Sequence, residues 1–208
     1  MEPFIQIKSK VVPIPRSDID TDMLIPAQYL TSISKEGYGE NLFRRLRDEE
    51  PDFPLNQEKF EGAQILVAQN NFGCGSSREH AVWALMGWGF RVVIAPSFSD
   101  IFFSNSGKNG LVLVELPQEI VAEILEAAKY GNAEMSVDLK IQTVTLPDGT
   151  LYEFEFDPFR KDCILRGQDD LDYLLSHKKE IETWQAEREK QLFYSTTEPN
   201  HPEVMQRG

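Results

Sequence analysis

Residues 63–116, AQILVAQNNFGCGSSREHAVWALMGWGFRVVIAPSFSDIFFSNSGKNGLVLVEL, decide the fold of this chain. Apolar, strand-like runs at 63–69, 91–96 and 111–116 alternate with helical patterns. Strands that alternate with helices in this way pair in parallel, and the connections between them are right-handed. The stretch therefore predicts an α/β fold with a parallel sheet at its centre.

The two helices between these strands have sequence signals at their ends. Gly87 is expected to end the first helix, Glu79–Met86, because glycine readily adopts the left-handed conformation that closes a helix. Ser99 is expected to cap the start of the second, over residues 100–106, since a serine hydroxyl can accept a hydrogen bond from the first turn.

Outside this stretch, further strands and one helix are predicted. Residues 4–15 have a strand-like pattern that prolines stop. Residues 118–130 carry an apolar stripe at helical spacing. Residues 135–146 and 150–156 are expected to form a hairpin across Pro-Asp-Gly. Antiparallel strands are thus added to the parallel core, which predicts a mixed sheet.

The chain is expected to form a single domain over residues 1–193. Its C-terminal helical region spans about 158–193 and includes a helix over 169–188, whose apolar side chains are expected to face a partner. Residues 194–208 are polar and contain two prolines, so a disordered tail is expected there.

The composition excludes several classes of protein. The 208 residues include 34 acidic and 21 basic side chains, a net charge of −13, so no nucleic acid partner is expected. Cys74 and Cys163 are too few for a disulfide framework or for the thiolates of an iron–sulfur cluster. No apolar run approaches the roughly 18 residues of a membrane span, and the N-terminus lacks a signal-peptide pattern. A cytoplasmic location is therefore expected.

The glycine-rich turn at residues 73–80, GCGSSREH, is the strongest candidate for a site. It follows a buried strand and opens a helix, whose N-terminus carries free N–H groups and a partial positive charge. The Arg78 guanidinium matches a carboxylate bidentately. A small-anion site is therefore predicted, and a Ser76 hydroxyl in such a field could act as a base. The alternative is a tight turn that only caps the helix.

Three stretches together identify a family. Residues 71–85, NFGCGSSREHAVWAL, and residues 91–111, RVVIAPSFSDIFFSNSGKNGL, resemble the small subunits of 3-isopropylmalate dehydratase, the swivelling-domain branch of the aconitase superfamily. Residues 17–30, SDIDTDMLIPAQYL, resemble the DxDTDxxIP segment of the same family. The resemblance extends over residues from about 4 to 190, in the same order.

The resemblance implies a fold and a reaction. The fold is a three-layer β/β/α swivelling domain like the C-terminal domain of aconitase, with a mixed sheet. The reaction converts 2-isopropylmalate to 3-isopropylmalate through 2-isopropylmaleate, in leucine biosynthesis. The implied partner is a large subunit that carries a [4Fe–4S] cluster, and this chain is expected to bind no metal or cofactor itself.

The resemblance also assigns roles to residues of the turn. It makes Ser76 the base that removes the proton next to a carboxylate of the small dicarboxylate substrate. It places Ser77 and Arg78 on that carboxylate, together with the backbone of Gly75. It makes Asp22 the residue that orients Arg78 or a partner residue.

Substrate choice in the family is attributed to a loop that corresponds here to about residues 29–60. Aconitase places a substrate-binding arginine in this loop, and the nearest counterpart is Lys35. Leu30 and Ile33 could surround the isopropyl group. The residues assigned to the loop's specificity role are Tyr29, Leu30, Thr31, Ile33 and Lys35. Because an apolar pocket discriminates neighbouring alkyl groups only modestly, citramalate is an alternative substrate.

Residues near the turn also have structural interpretations. His80 is expected to bond backbone groups near the turn, and Cys74 to be a small packed residue. Asp18 and Asp20 are expected to cap a turn. Four polar residues after the strand 91–96 are candidates either to line the site or to cap helices: Ser97, Ser104, Asn105 and Ser106.

Two other functions compete with the dehydratase subunit. One is the same chemistry on citramalate, homoaconitate or a dimethylmalate. The other is a non-catalytic anion-binding module, which would not need Ser76 beside Arg78 and the Asp20-Thr21-Asp22 cluster. A serine hydrolase would need a histidine base, and two of the three histidines, His177 and His201, lie in the C-terminal segment.

Overall fold

The computed structural model describes residues 1–30 and 35–196, with side chains as far as Glu189. These residues fall into two compact units, one over Met1–Asp169 and one that begins at Asp170. The boundary lies inside the C-terminal helical region predicted over 158–193.

The first unit contains seven strands and six α-helices among the described residues. The strands are β1 (Gln6–Ile14), β2 (Ile65–Ala68), β3 (Val92–Ala95), β4 (Val112–Glu115), β5 (Glu134–Asp138), β6 (Thr143–Thr145) and β7 (Leu151–Glu153). The helices are α1 (Thr21–Leu24), α2 (Arg44–Glu49), α3 (His80–Trp88), α4 (Asp100–Asn109), α5 (Gln118–Ala128) and α6 (Pro158–Arg166). Four 3₁₀ turns cover Ala27–Tyr29, Gly39–Asn41, Pro54–Asn56 and Glu58–Phe60.

The strands form one mixed sheet in the order β4-β3-β2-β1-β5-β6-β7. Strand β1 lies at its centre and has a different kind of partner along each half. Its first half pairs antiparallel with β5, from Gln6 opposite Asp138 onward. Its second half pairs in parallel with β2, from Val11 opposite Ile65 onward. The parallel core from β1 to β4 and the antiparallel additions agree with the sequence prediction.

The parallel strands bury both faces, because alternate residues enter two separate cores. One core lies under α3 and α4 and receives the side chains of Leu66, Ala68, Val93, Ala95 and Leu113. The other receives Ile65, Val67, Val92, Ile94, Val112 and Val114, together with apolar residues of α5, β5 and β6. The predicted α/β class, with a parallel core and antiparallel additions in one mixed sheet, is thereby confirmed.

The predicted strand over residues 135–146 is wrong, because the chain turns within it. The Asp138 carboxylate accepts a hydrogen bond from the Ile141 N–H at 3.0 Å, which closes a short turn. Gln142 then adopts a left-handed backbone with φ +55°. The chain therefore forms a meander of β5, β6 and β7, in which β6 and β7 are the hairpin predicted across Pro147-Asp148-Gly149.

The predicted end of the first helix is also wrong. Helix α3 continues through Gly87 to Trp88 and ends at Gly89, whose φ is +119°. Gly87 instead packs against Gly39 of the loop that precedes β2, and a methyl group added at Gly39 would overlap the Gly87 carbonyl carbon. This backbone contact fixes the loop on the side of α3.

Gly39→Ala should lower the free energy of unfolding by about 3 kcal/mol, because the added Cβ meets backbone atoms that cannot rotate away. Gly37→Ala is the matched control in the same loop. The added Cβ would meet nothing within 4 Å. The free energy of unfolding should therefore fall by only about 1 kcal/mol, the cost of placing an alanine in a left-handed backbone conformation. Chemical denaturation of both chains gives the comparison. A Gly39 variant no less stable than the Gly37 variant would contradict the contact.

In the second unit, the predicted single helix over 169–188 is two helices. These are α7 (Asp170–Ser176) and α8 (Lys178–Thr196), with His177 between them. Four apolar side chains expected to face a partner are each at least 37% exposed in this chain: Leu174, Leu175, Ile181 and Trp184. Residues 197–208 of the predicted tail lie outside the described residues, while the backbone of 194–196 continues α8. No helix in the described part of the chain has the length and apolar content to span a membrane.

Candidate functional site

The candidate site is built on the turn between β2 and α3. Gly73 and Gly75 adopt left-handed backbone conformations, with φ +76° and +91°. At Gly73 a side chain would also overlap the ring of Phe102. Glycine is the residue that tolerates both conditions, so the sequence pattern GCG produces the sharp turn that presents the next three residues.

The segment before α1 lies directly beside this turn. Asp20 and Cys74 form a parallel β-bridge. The Gly73 N–H donates to the Ile19 carbonyl at 2.7 Å, and the Thr21 N–H donates to the Cys74 carbonyl at 3.0 Å. The two motifs that suggested the family, far apart in the sequence, therefore form one structural unit.

Arg78 and Asp22 form an ion pair across this unit. The Arg78 side chain is 23% exposed and that of Asp22 is 53% exposed. An ion pair this exposed contributes little to stability. Its consequence is geometric, because the carboxylate holds one edge of the guanidinium and leaves the other donors of the fork available.

Ser76 and Ser77 are both exposed on the turn. The Ser76 N–H donates to the Thr21 hydroxyl at 3.2 Å, and the Ser76 carbonyl accepts from the Arg78 N–H at 2.8 Å. Ser76, Ser77 and Arg78 thus come together immediately before α3, and the positive end of that helix follows them.

Asp20 has the capping role that the sequence suggested, whereas Asp18 bonds the side chain of a distant residue. The Asp20 carboxylate accepts from the Met23 N–H at 2.6 Å and caps α1. Asp18 has a left-handed backbone, and its carboxylate accepts from the Asn71 side-chain amide at 2.7 Å.

His80 and Cys74 also match structural rather than chemical roles. The His80 ring packs edge-on against Tyr38 and Trp83, with ring centroids 5.2 and 4.7 Å apart. These partners are aromatic rings instead of the backbone groups expected. Burial raises the pKa of the Cys74 thiol, and the nearby carboxylates of Asp20 and then Asp18 raise it further. The thiol is therefore protonated at neutral pH, which disfavours reactivity.

Polar residues after β3 hold the turn from its other side. The Ser99 hydroxyl caps α4, as predicted, and also donates to the Gly73 carbonyl at 2.6 Å. Ser97 accepts from the Asn71 N–H at 2.9 Å. The Asn105 amide donates to the Ser77 carbonyl at 3.4 Å. The sequence pattern indicates these residues as candidates but does not indicate the groups that they contact.

The loop at about residues 29–60, expected to govern substrate choice, is described in part. Thr31 and Ile33 lie outside the described residues. Tyr29 and Leu30 are half-buried and pack against the core under α3. The Lys35 ammonium donates to the Asn109 side-chain oxygen at 3.1 Å and lies 5.3 Å from the centroid of the Trp83 ring.

No group of three or more histidine, cysteine or acidic side chains is arranged to hold a metal among residues 1–30 and 35–196. Cys163 is buried and lies in α6, whereas Cys74 lies in the turn.

Comparison with known proteins agrees with this arrangement. The model of the aconitase C-terminal domain matches residues 1–119, and a second family model, LeuD_N, matches residues 122–158. The 3-isopropylmalate dehydratase small subunit of Francisella philomiragia is 51% identical over 177 residues, 85% of this chain and 93% of that protein. The protein of the same name from Paracoccus denitrificans is 47% identical over 90% of this chain and 96% of its own length.

The chain belongs to the 3-isopropylmalate dehydratase small-subunit family. The resemblance drawn from the sequence is thereby confirmed, and with it the assignment to the hydro-lyases. A solved structure of 3-isopropylmalate dehydratase (leuD) from Methanocaldococcus jannaschii has 26% sequence identity and a TM-score of 0.65, and it covers 87% of this chain and 99% of that one. The family's fold therefore holds for this chain.

Proposed function

We propose that this chain, together with a large subunit, isomerises 2-isopropylmalate to 3-isopropylmalate through 2-isopropylmaleate. The observation that carries the proposal is the exposed Ser76 on a turn that also presents Arg78, with Asp22 holding the arginine. The names of the relatives support both the substrate and the existence of a larger partner. A cytoplasmic enzyme that binds no nucleic acid fits the composition.

Ser76 acts as the base in this proposal. Its hydroxyl is exposed and so can reach a substrate held between the two subunits. A serine is a weak base unless its alkoxide is stabilised, and the guanidinium of Arg78 and the start of α3 supply positive potential. Thr21 fixes the backbone of Ser76 through the 3.2 Å hydrogen bond.

Arg78 binds the carboxylate next to the carbon that loses its proton. As the proton leaves, negative charge spreads onto this carboxylate, so a fixed guanidinium stabilises the transition state more than the ground state. Ser77 adds a hydroxyl donor, and the exposed backbone of the left-handed Gly75 is a further group that the substrate can contact.

The iron–sulfur cluster is assigned to the large subunit. Two cysteines, one in the turn and one buried in α6, do not fit the three or four thiolates that a cluster requires. When bound in the partner, a [4Fe–4S] cluster would supply a Lewis acid that helps the hydroxyl group leave. The residues of this chain bind the carboxylate and move the proton on the other side of the substrate.

The isolated chain should show no turnover of 3-isopropylmalate, because it lacks the groups that activate the hydroxyl. Activity should appear when the large subunit is added under anaerobic conditions. Steady-state assays of each subunit alone and of the mixture make the measurement. Turnover by the metal-free chain alone would disprove the half-site proposal. Substituting citramalate, homoaconitate and a dimethylmalate in the same assay ranks the substrates by kcat/KM, and a higher value for any of them would reassign the substrate.

A further inference from the structure

One buried side chain links the specificity loop to the catalytic turn. Asn109 is the last residue of α4, and it is 9% exposed. Its side-chain oxygen accepts from Lys35 Nζ and from Trp83 Nε1, each at 3.1 Å. Its side-chain nitrogen donates to the Glu79 carboxylate at 2.6 Å and to the Asn105 carbonyl at 2.9 Å. Every donor and acceptor of the amide has one partner.

These partners determine the orientation of the amide. A flipped Asn109 would place its NH₂ group against the donors of Lys35 and Trp83, and its oxygen against the Glu79 carboxylate. Both contacts would be repulsive, so the network accepts one orientation alone. Buried networks in which every group is satisfied are rigid, and the loss of one member is felt by the others.

The residues that bond the oxygen and the nitrogen of the Asn109 amide belong to different parts of the site. Lys35 lies in the specificity loop. Glu79 follows Arg78 directly and precedes the first residue of α3. Asn105, which accepts from the same amide through its backbone, donates to the Ser77 carbonyl through its side chain. A continuous chain of hydrogen bonds therefore connects the lysine to the backbone that carries Ser77 and Arg78.

We infer that Asn109 is a positioning residue, which couples Lys35 of the specificity loop to the catalytic turn through Glu79. Lys35 then acts on the reaction through this network, without contacting a substrate carboxylate. The inference rests on the proposed function, because it requires Ser77 and Arg78 to bind substrate.

A double-mutant cycle on the reconstituted enzyme tests the coupling. Lys35→Met keeps the aliphatic stem and removes the donor, and Glu79→Ala removes the acceptor on the other side. Each variant's kcat with 2-isopropylmalate is expressed as a fraction of the wild-type value. If Asn109 couples the two residues, the fraction for the double variant is at least about threefold higher than the product of the fractions for the two single variants. The same cycle in an Asn109→Ala background should be additive within about twofold. Asn109→Leu keeps the approximate side-chain size and loses both the donors and the acceptor, and it replaces Asn109→Ala if that chain does not fold.

Lys108→Met is the matched control, because Lys108 is a neighbouring lysine on α4 that lines the same surface groove as Lys35. In a double-mutant cycle, the effects of Lys108→Met and Glu79→Ala on kcat should be independent of each other. Additive effects of Lys35 and Glu79 in the wild-type background would overturn the coupling while the proposed function stands. An unmutated complex without turnover would end the proposed function, and this inference with it. A purely structural Asn109 would lower thermal stability without producing coupling in kcat.

Discussion

Ser76→Ala should lower the kcat of the reconstituted enzyme by about 10²–10⁴-fold for both isopropylmalates. The substitution removes the hydroxyl that takes the proton, and the Ser76 backbone N–H keeps its bond to Thr21. The side chain is exposed, so the chain should fold and assemble as before. Steady-state kinetics with each substrate, together with size-exclusion chromatography of the complex, give the result.

Ser77→Ala is the control for this experiment, since Ser77 is the adjacent and equally exposed hydroxyl. It removes one hydrogen bond to substrate, which should cost about tenfold or less. If the Ser76 variant kept wild-type turnover, the base would have to be another group. If both serines had equal effects, the hydroxyls would serve only in binding.

Arg78→Lys should reduce kcat/KM by about 10–100-fold although the charge is kept. A lysine ammonium is a point donor and cannot hold Asp22 and both oxygens of a substrate carboxylate with a planar fork. Both kcat and apparent affinity should fall, because the carboxylate binds in the ground state and gains charge as the proton leaves. Kinetics of the complex with 2- and 3-isopropylmalate measure the change.

Arg166→Lys provides a comparison on the same chain. Arg166 pairs with Asp162 on the exposed surface of α6, at 2.9 Å between Nε and the carboxylate oxygen. Exposed pairs of this kind are weak, so activity should change by less than a factor of a few. Equal effects of the two substitutions would remove Arg78 from the substrate site and weaken the assignment of the whole turn.

The parallel core could be predicted because its strands are short apolar runs buried on both faces. The glycine-rich turn at residues 73–80 could also be predicted, since Gly73 and Gly75 occur where the backbone must be left-handed. In both cases the signal is local, because the residues that require the conformation lie within the segment itself.

Other features depend on contacts between distant segments and therefore left no local signal. Gly87 has the sequence signal of a helix end. A glycine is needed there instead because the backbone of Gly39 packs directly against it. Asn109 was missed because its four partners come from three segments of the chain. Thr21 belongs to the DxDTDxxIP segment, but its bond to the Ser76 N–H follows only from the β-bridge between Asp20 and Cys74.

The central place of β1 has a consequence for synthesis on the ribosome. The half that pairs with β2 can find its partner once Ala68 has emerged, whereas the half that pairs with β5 must wait for Asp138. During that interval, Gln6–Lys10 remains an unpaired strand segment beside a parallel core that is still gaining β3 and β4, and such segments promote aggregation of nascent chains. Slow translation between these two points should therefore lower the soluble yield of this subunit.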